Sequence, residues 1–143
     1  SLALVQYSSL SNNDNDKTSK QFSWKMSKIN GLFTAFALLV LCLLPQNVYT
    51  FIFGEGFSEI STAIRILSIG ILPLSIASNF TQYFYAKGNF KISTVASLIG
   101  LAITIIAGLI LIPKYQLQGA AFTATLSYFT TFAIEFYFFA LKK

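Results

Sequence analysis

The chain has 143 residues, of which 55% are hydrophobic and only 10% charged, with a formal net charge of +5 and no histidine. A soluble domain is about 25% charged, so this composition excludes a water-facing surface over most of the chain. Without histidine, most transition-metal sites and every Ser-His or Cys-His catalytic pair are excluded too, and neither a metal nor a cofactor is expected.

The few charges are unevenly spaced. Uncharged windows of 26, 21, 22 and 20 residues separate Lys28 from Glu55, Arg65 from Lys87, Lys91 from Lys114, and Lys114 from Glu135. Crossing about 30 Å of hydrocarbon at 1.5 Å per residue takes roughly 20 residues. The fold class expected is an all-α membrane protein with four complete transmembrane helices. The first window is too long for the apolar core of a signal peptide. Ser1-Leu-Ala-Leu-Val-Gln-Tyr7 reads as the tail of a fifth span cut in mid-course, so residues 1–10 are taken as a truncated helix and the chain as the C-terminal part of a longer protein.

Residues 11–28 form the long polar segment, read as a polar and basic loop. Asn and Asp at 12–16 favour turns. Lys17, Lys20, Lys25 and Lys28 then alternate with Phe22, Trp24 and Met26, a pattern suited to a helix end on a membrane surface, either as an ordinary anchored loop or as a contact for anionic lipid. The four-helix region spans 29–143. Its first helix covers about 29–53, kinked at Pro45, with Tyr49, Phe51 and Phe53 in an aromatic belt at the far interface. The second runs over about 60–86 with a kink near Pro73, the third over 92–112 and the fourth over 117–141, with Pro113 ending the third. Cys42 lies inside an apolar run and reads as a packing residue.

Lysine counts orient the chain. Segments 11–28 and 87–91 and the C-terminus hold eight of the ten basic residues and fall on one side of four alternating helices, the cytoplasmic side by the positive-inside rule. The basic balance therefore sets orientation in a cytoplasmic membrane, and a nucleic-acid partner is excluded.

Small residues recur inside the spans. Ala96, Gly100, Thr104 and Gly108 follow one another at intervals of four, as do Gly119, Thr123 and Ser127. Such faces let helices approach backbone to backbone and predict packing. In the second helix Ser75, Asn79 and Gln82 share one face, which must meet either another helix or a watery cavity. Asn79-Phe-Thr81 matches a glycosylation pattern, but its depth in a span excludes modification. Arg65 near the outer end of this helix can snorkel outward or point into a vestibule. Glu135 is a possible intramembrane charge, a functional candidate or a partner for Lys142. No paired carboxylates or glycine-rich phosphate loop appear, so no catalytic residue and no enzyme activity are expected.

The order of motifs adds a family likeness. Phe51-Ile-Phe-Gly-Glu-Gly-Phe57, Ile64-Arg-Ile-Leu67, Tyr85-Ala-Lys-Gly-Asn-Phe-Lys91, Leu111-Ile-Pro-Lys-Tyr115 and Gly119-Ala-Ala121 succeed one another along the chain. This resembles the C-terminal region of the Wzx-type O-antigen and polysaccharide-biosynthesis flippases of the MATE-like MOP superfamily. The family often has glycine where this chain has Gln116, and proline where it has Ser8; loss of the glycine removes the easiest positive-φ residue from the outer turn. The resemblance implies a bacterial or archaeal cytoplasmic-membrane transporter. It would translocate a polyprenyl-diphosphate-linked oligosaccharide by alternating access, with membrane lipids and the rest of the same chain, its N-terminal lobe, as further partners. It also implies part of the C-terminal lobe of a MATE-like fold, with Arg65 as a cation for diphosphate and Asn79 and Gln82 for sugar hydroxyls. A MATE-like exporter of small molecules and a non-transporting four-helix subunit are the alternatives.

Overall fold

Residues 16–54 and 60–141 are described by a computed structural model; the expected truncated helix 1–10, the turn at 55–59 and Lys142 lie outside the described residues. All the described secondary structure is helical: α1 (Asp16–Leu43), α2 (Gln46–Phe53), α3 (Ile60–Ala86) and α4 (Phe90–Leu141). Three segments, Lys17–Leu43, Ile60–Ala86 and Phe90–Leu141, are long and apolar enough to cross a membrane. The chain is thus a multi-pass membrane protein.

α1 begins about four turns before the expected start near residue 29, so 16–28 is helix rather than loop. Hydropathy misses this because packing, not apolarity, holds the segment. Ser19, Ser23, Ser27 and Gly31 recur every four residues and are all buried, forming a narrow face on which Gly31 meets Ile76 of α3. At the other end, the expected kink is a full break. Pro45 has no N–H and its ring disfavours helical geometry at Leu44. Leu44 N–H donates to Leu41 O at 3.2 Å, Val48 N–H donates to Pro45 O at 3.0 Å, and α2 starts anew. Tyr49, expected in an interfacial belt, is instead 5% exposed and its hydroxyl donates to the Leu41 carbonyl. Phe51 is 91% exposed.

α3 passes through Pro73 without interruption. Its C-terminus is closed by a Schellman motif: Gly88 N–H donates to Tyr85 O at 3.0 Å and Asn89 N–H donates to Phe84 O at 2.8 Å. Gly88 supplies the left-handed residue this needs, at φ 71°.

The 52 residues of α4 would measure about 78 Å if straight, far more than a bilayer. The segment instead doubles back at Gln116, whose φ of 45° and ψ of −119° are non-helical. The first arm (90–115) and second arm (117–141) run antiparallel. Ser127 Oγ donates to Gly100 O at 2.9 Å, and the Cα of Gly108 faces the Thr123 methyl across the pair. The third helix was expected to end at Pro113, but it continues through Pro113 to Tyr115, just before the non-helical Gln116.

α3 is the hub. α1 runs antiparallel to it, since Asn30 meets Asn79 and Cys42 meets Ser68. The second arm runs parallel to it, since Thr125 meets Ile66 and Glu135 meets Thr81. The first arm lies beyond, against the second. Lipid tails are as apolar as leucine, so the exposed Leu32, Phe33, Phe36, Ile106 and Leu109 carry no penalty in a bilayer. Cohesion comes from close packing and from interhelical hydrogen bonds averaging about 0.6 kcal/mol each.

Candidate functional site

The polar side chains inside the helices fall into a buried set and an open set. Glu135 heads the first. Its place on the second arm sets it between α3 and the start of the first arm, and it is 1% exposed. Thr81 Oγ lies 2.8 and 3.0 Å from its two carboxyl oxygens and 3.2 Å from Ala77 O. A hydroxyl has one proton, so these three acceptors compete for a single donor. Ser93, fully buried on the first arm, brings its hydroxyl to the same carboxyl group but makes no hydrogen bond of standard geometry. Glu135 therefore ties the second arm to α3, with Ser93 of the first arm beside it, within a few residues of their shared end.

Asn79 belongs to the buried set as well. It is 2% exposed, accepts from Asn30 Nδ2 of α1 at 3.3 Å, and donates to Ser75 O at 2.9 Å. The structure thus does not bring Asn79 onto an open face with Gln82. The two are three residues apart, and α1, through Asn30, covers one of them. Ser75 and Ser78 turn their hydroxyls back to the carbonyls of Leu72 and Ser75.

Arg65 is exposed and Gln82 half-buried. They lie near opposite ends of α3, about 25 Å apart along its axis at 1.5 Å per residue, so one headgroup cannot touch both at once.

The small residues occupy helix contacts. Ala96, Gly100, Gly108, Gly119 and Thr123 are buried, whereas Thr104 is exposed and its hydroxyl returns to Gly100 O at 2.9 Å. A methyl group on Gly100 would meet Thr131 Oγ at 2.7 Å, and one on Gly119 would collide with the Leu111 carbonyl across the turn. Gly70, which the spacing argument passed over, is the tightest approach of α3 to the second arm: an added Cβ would stand 2.7 Å from the Thr125 Cα. The positions four residues either side of Gly70 hold Ile66 and Leu74, neither of them small, so counting at intervals of four could not find it.

The surface grooves are hydrocarbon. One of them, about 600 Å³, is lined by Leu111, Tyr115, Phe122, Thr125, Leu126 and Phe129. Among the described residues no group of three or more His, Cys, Asp or Glu side chains comes together. This arrangement suits helix packing and lipid contact within a larger assembly.

Comparison with known proteins fits that description. The whole chain, residues 1–143, matches the family described as lipid II flippase MurJ. Over 110 residues it is 32% identical to the capsular polysaccharide biosynthesis protein CapF of Staphylococcus aureus, covering 76% of this chain and 28% of that protein. Over 100 residues it is 29% identical to the uncharacterized membrane protein MJ1068 of Methanocaldococcus jannaschii, covering 70% of this chain and 20% of that protein. The chain therefore spans about a quarter of the length of these relatives. No solved structure matches it. With a match along its entire length, the chain belongs to the lipid II flippase MurJ family.

Proposed function

We propose that this chain is the C-terminal part of a flippase that carries a polyprenyl-diphosphate-linked oligosaccharide, the repeat unit of a surface polysaccharide, across the cytoplasmic membrane by alternating access. The observation that carries the reading is the family match over all 143 residues. The 32% identity to a protein named for capsular polysaccharide biosynthesis supports an oligosaccharide repeat unit, of the O-antigen or capsular kind, as the cargo. Membership in a flippase family favours this over a small-molecule exporter or a non-transporting subunit.

In this proposal α1, α3 and the two arms of α4 are four complete spans in the C-terminal lobe of a MATE-like fold, with 11–28, 87–91 and the C-terminus cytoplasmic. The antiparallel arms and the parallel course of α3 and the second arm support that alternation. Arg65, exposed near the outer end of α3, meets the diphosphate or an acidic sugar, and Gln82 meets sugar hydroxyls at the inner end, each in a different access state. Asn79 acts as a packing residue between α1 and α3.

The test is translocation by the full-length protein in proteoliposomes. A fluorescent polyprenyl-diphosphate oligosaccharide and fluorescent lipid II are supplied separately, and a membrane-impermeant quencher reports the leaflet. Movement of the oligosaccharide lipid is expected. Movement of lipid II alone would reassign the cargo, and movement of neither would refute the proposal.

A further inference from the structure

The short helix α2 has little to hold it in place. Isolated helices below about 12–15 residues are marginal in water, and α2 has eight. Its packing against α3 is slight beside that of α1 or α4, and its Phe51 points away from the bundle. Among the described side chains of α2, only that of Tyr49 is buried. The position of α2 therefore depends on what Tyr49 does.

Tyr49 answers a defect that the sequence builds in. In a continuous helix the N–H of residue 45 would donate to the Leu41 carbonyl, and Pro45 has none. Leu41 O keeps one contact within α1 and its end, from Leu44 N–H at 3.2 Å, which belongs to a tighter turn. A carbonyl oxygen accepts two hydrogen bonds, and the Tyr49 hydroxyl, reaching back across the break, supplies the second. The need is mutual, because the hydroxyl of a buried tyrosine requires a partner as well. This bond joins residues on either side of Pro45, so it holds only while α2 keeps its angle to α1.

We propose that the Leu44–Pro45 junction is a hinge and that Tyr49 is its latch. The hydroxyl stands in for the N–H that proline lacks. When it lets go, α2 swings on the junction as a flap, while α1 stays in place through its contacts with α3 at Asn79 and Ser68. Two features separate a latch from ordinary packing. The ring of Tyr49 packs equally well without its oxygen, so packing alone is indifferent to the hydroxyl. The bond is also needed only because residue 45 is proline, so its worth vanishes when the proline is replaced.

The test is hydrogen–deuterium exchange of the full-length protein in nanodiscs, read by mass spectrometry over peptides from α2 and from the C-terminal half of α3. In Tyr49→Phe, exchange in α2 is expected to rise roughly three- to tenfold, the effect of losing one hydrogen bond, with α3 unchanged. Pro45→Ala returns a donor to Leu41 O, joins α1 to α2 and lowers exchange across the junction below that of the parent. Adding Tyr49→Phe to Pro45→Ala then changes exchange in α2 by less than about twofold, because the two changes act on one carbonyl. Unchanged exchange in Tyr49→Phe would overturn the latch. So would an equal rise with and without the proline, which would give the hydroxyl a purpose unrelated to the break. A rise that spreads to α3 would overturn the hinge, by showing that the whole bundle loosens. None of these readouts depends on transport, so the flippase reading stands or falls separately.

Discussion

Replacing Gln116 with glycine tests whether the turn between the arms of α4 is strained. Gln116 stands at φ 45° and ψ −119°, close to the first central position of a type II′ turn, where glycine is the favoured residue. A non-glycine residue held in such a region costs about 1–3 kcal/mol. Glycine removes that cost but releases more entropy on unfolding, a loss of about 0.5–1 kcal/mol. The balance is a stabilisation of up to about 2.5 kcal/mol, centred near 1, for Gln116→Gly. The side chain is exposed, so no packing contact complicates the comparison. Thermal unfolding of the full-length protein in detergent, followed by tertiary fluorescence, would read the change beside Gln116→Ala and Gln116→Val. The expected order of stability is Gly, then Gln and Ala together, then Val, whose β-branch is least tolerant of positive φ. A glycine variant no more stable than the parent, with valine no worse, would refute the strain argument.

Three further outcomes follow from the packing. Gly119→Ala and Gly70→Ala should each destabilise by about 1–3 kcal/mol, because the new methyl group meets backbone atoms of Leu111 and Thr125 that cannot rotate away; Gly54→Ala, with nothing within 4 Å, is a poor control only because of its own positive φ, so Gly31→Ala against the flexible Ile76 side chain serves instead and should be milder. Thr81→Val should lower the unfolding temperature, and adding Glu135→Gln should cost less than the sum of the two single changes, since both report one hydrogen-bonded knot. Arg65→Ala should reduce oligosaccharide-lipid flipping at unchanged protein level, whereas Asn79→Ala should lower stability through loss of its Asn30 contact; the reverse pattern would exchange the two roles.

The windows between charges made the helical membrane architecture legible, because hydrocarbon thickness imposes a length that composition alone reveals. They could not show that α1 starts at Asp16. Lysines and serines read as solvated when their surroundings are unknown, yet Ser19, Ser23 and Ser27 are buried while Lys17, Lys25 and Lys28 are exposed. The turn at Gln116 was visible as a missing glycine, and its backbone shows why glycine suits the position. Glu135 was visible as an isolated charge, but its partner Thr81, 54 residues away on α3, was not, nor was its neighbour Ser93 on the other arm. Asn79 and Gln82 looked equivalent by helical spacing. Only the position of α1 separates them, and spacing within one helix contains no information about its neighbours.

The contacts along α3 bear on how any transport movement is distributed. Thr125 donates to the Ile66 carbonyl near the N-terminal end of α3, Gly70 abuts the Thr125 backbone just beyond it, and Thr81 holds Glu135 near the C-terminal end. α1 is tied to the same helix at Asn79 and Ser68, again at two levels. Sliding α3 against the second arm would strip the buried carboxyl group of its hydroxyl donor in hydrocarbon, where no water replaces it. Rotating α3 would drive side chains into the space Gly70 leaves for Thr125. Both movements are opposed by discrete contacts, whereas the outer faces present hydrocarbon that can slide on lipid or on another helix with little penalty. In the proposed flippase these contacts favour movement of α1, α3 and both arms as one unit.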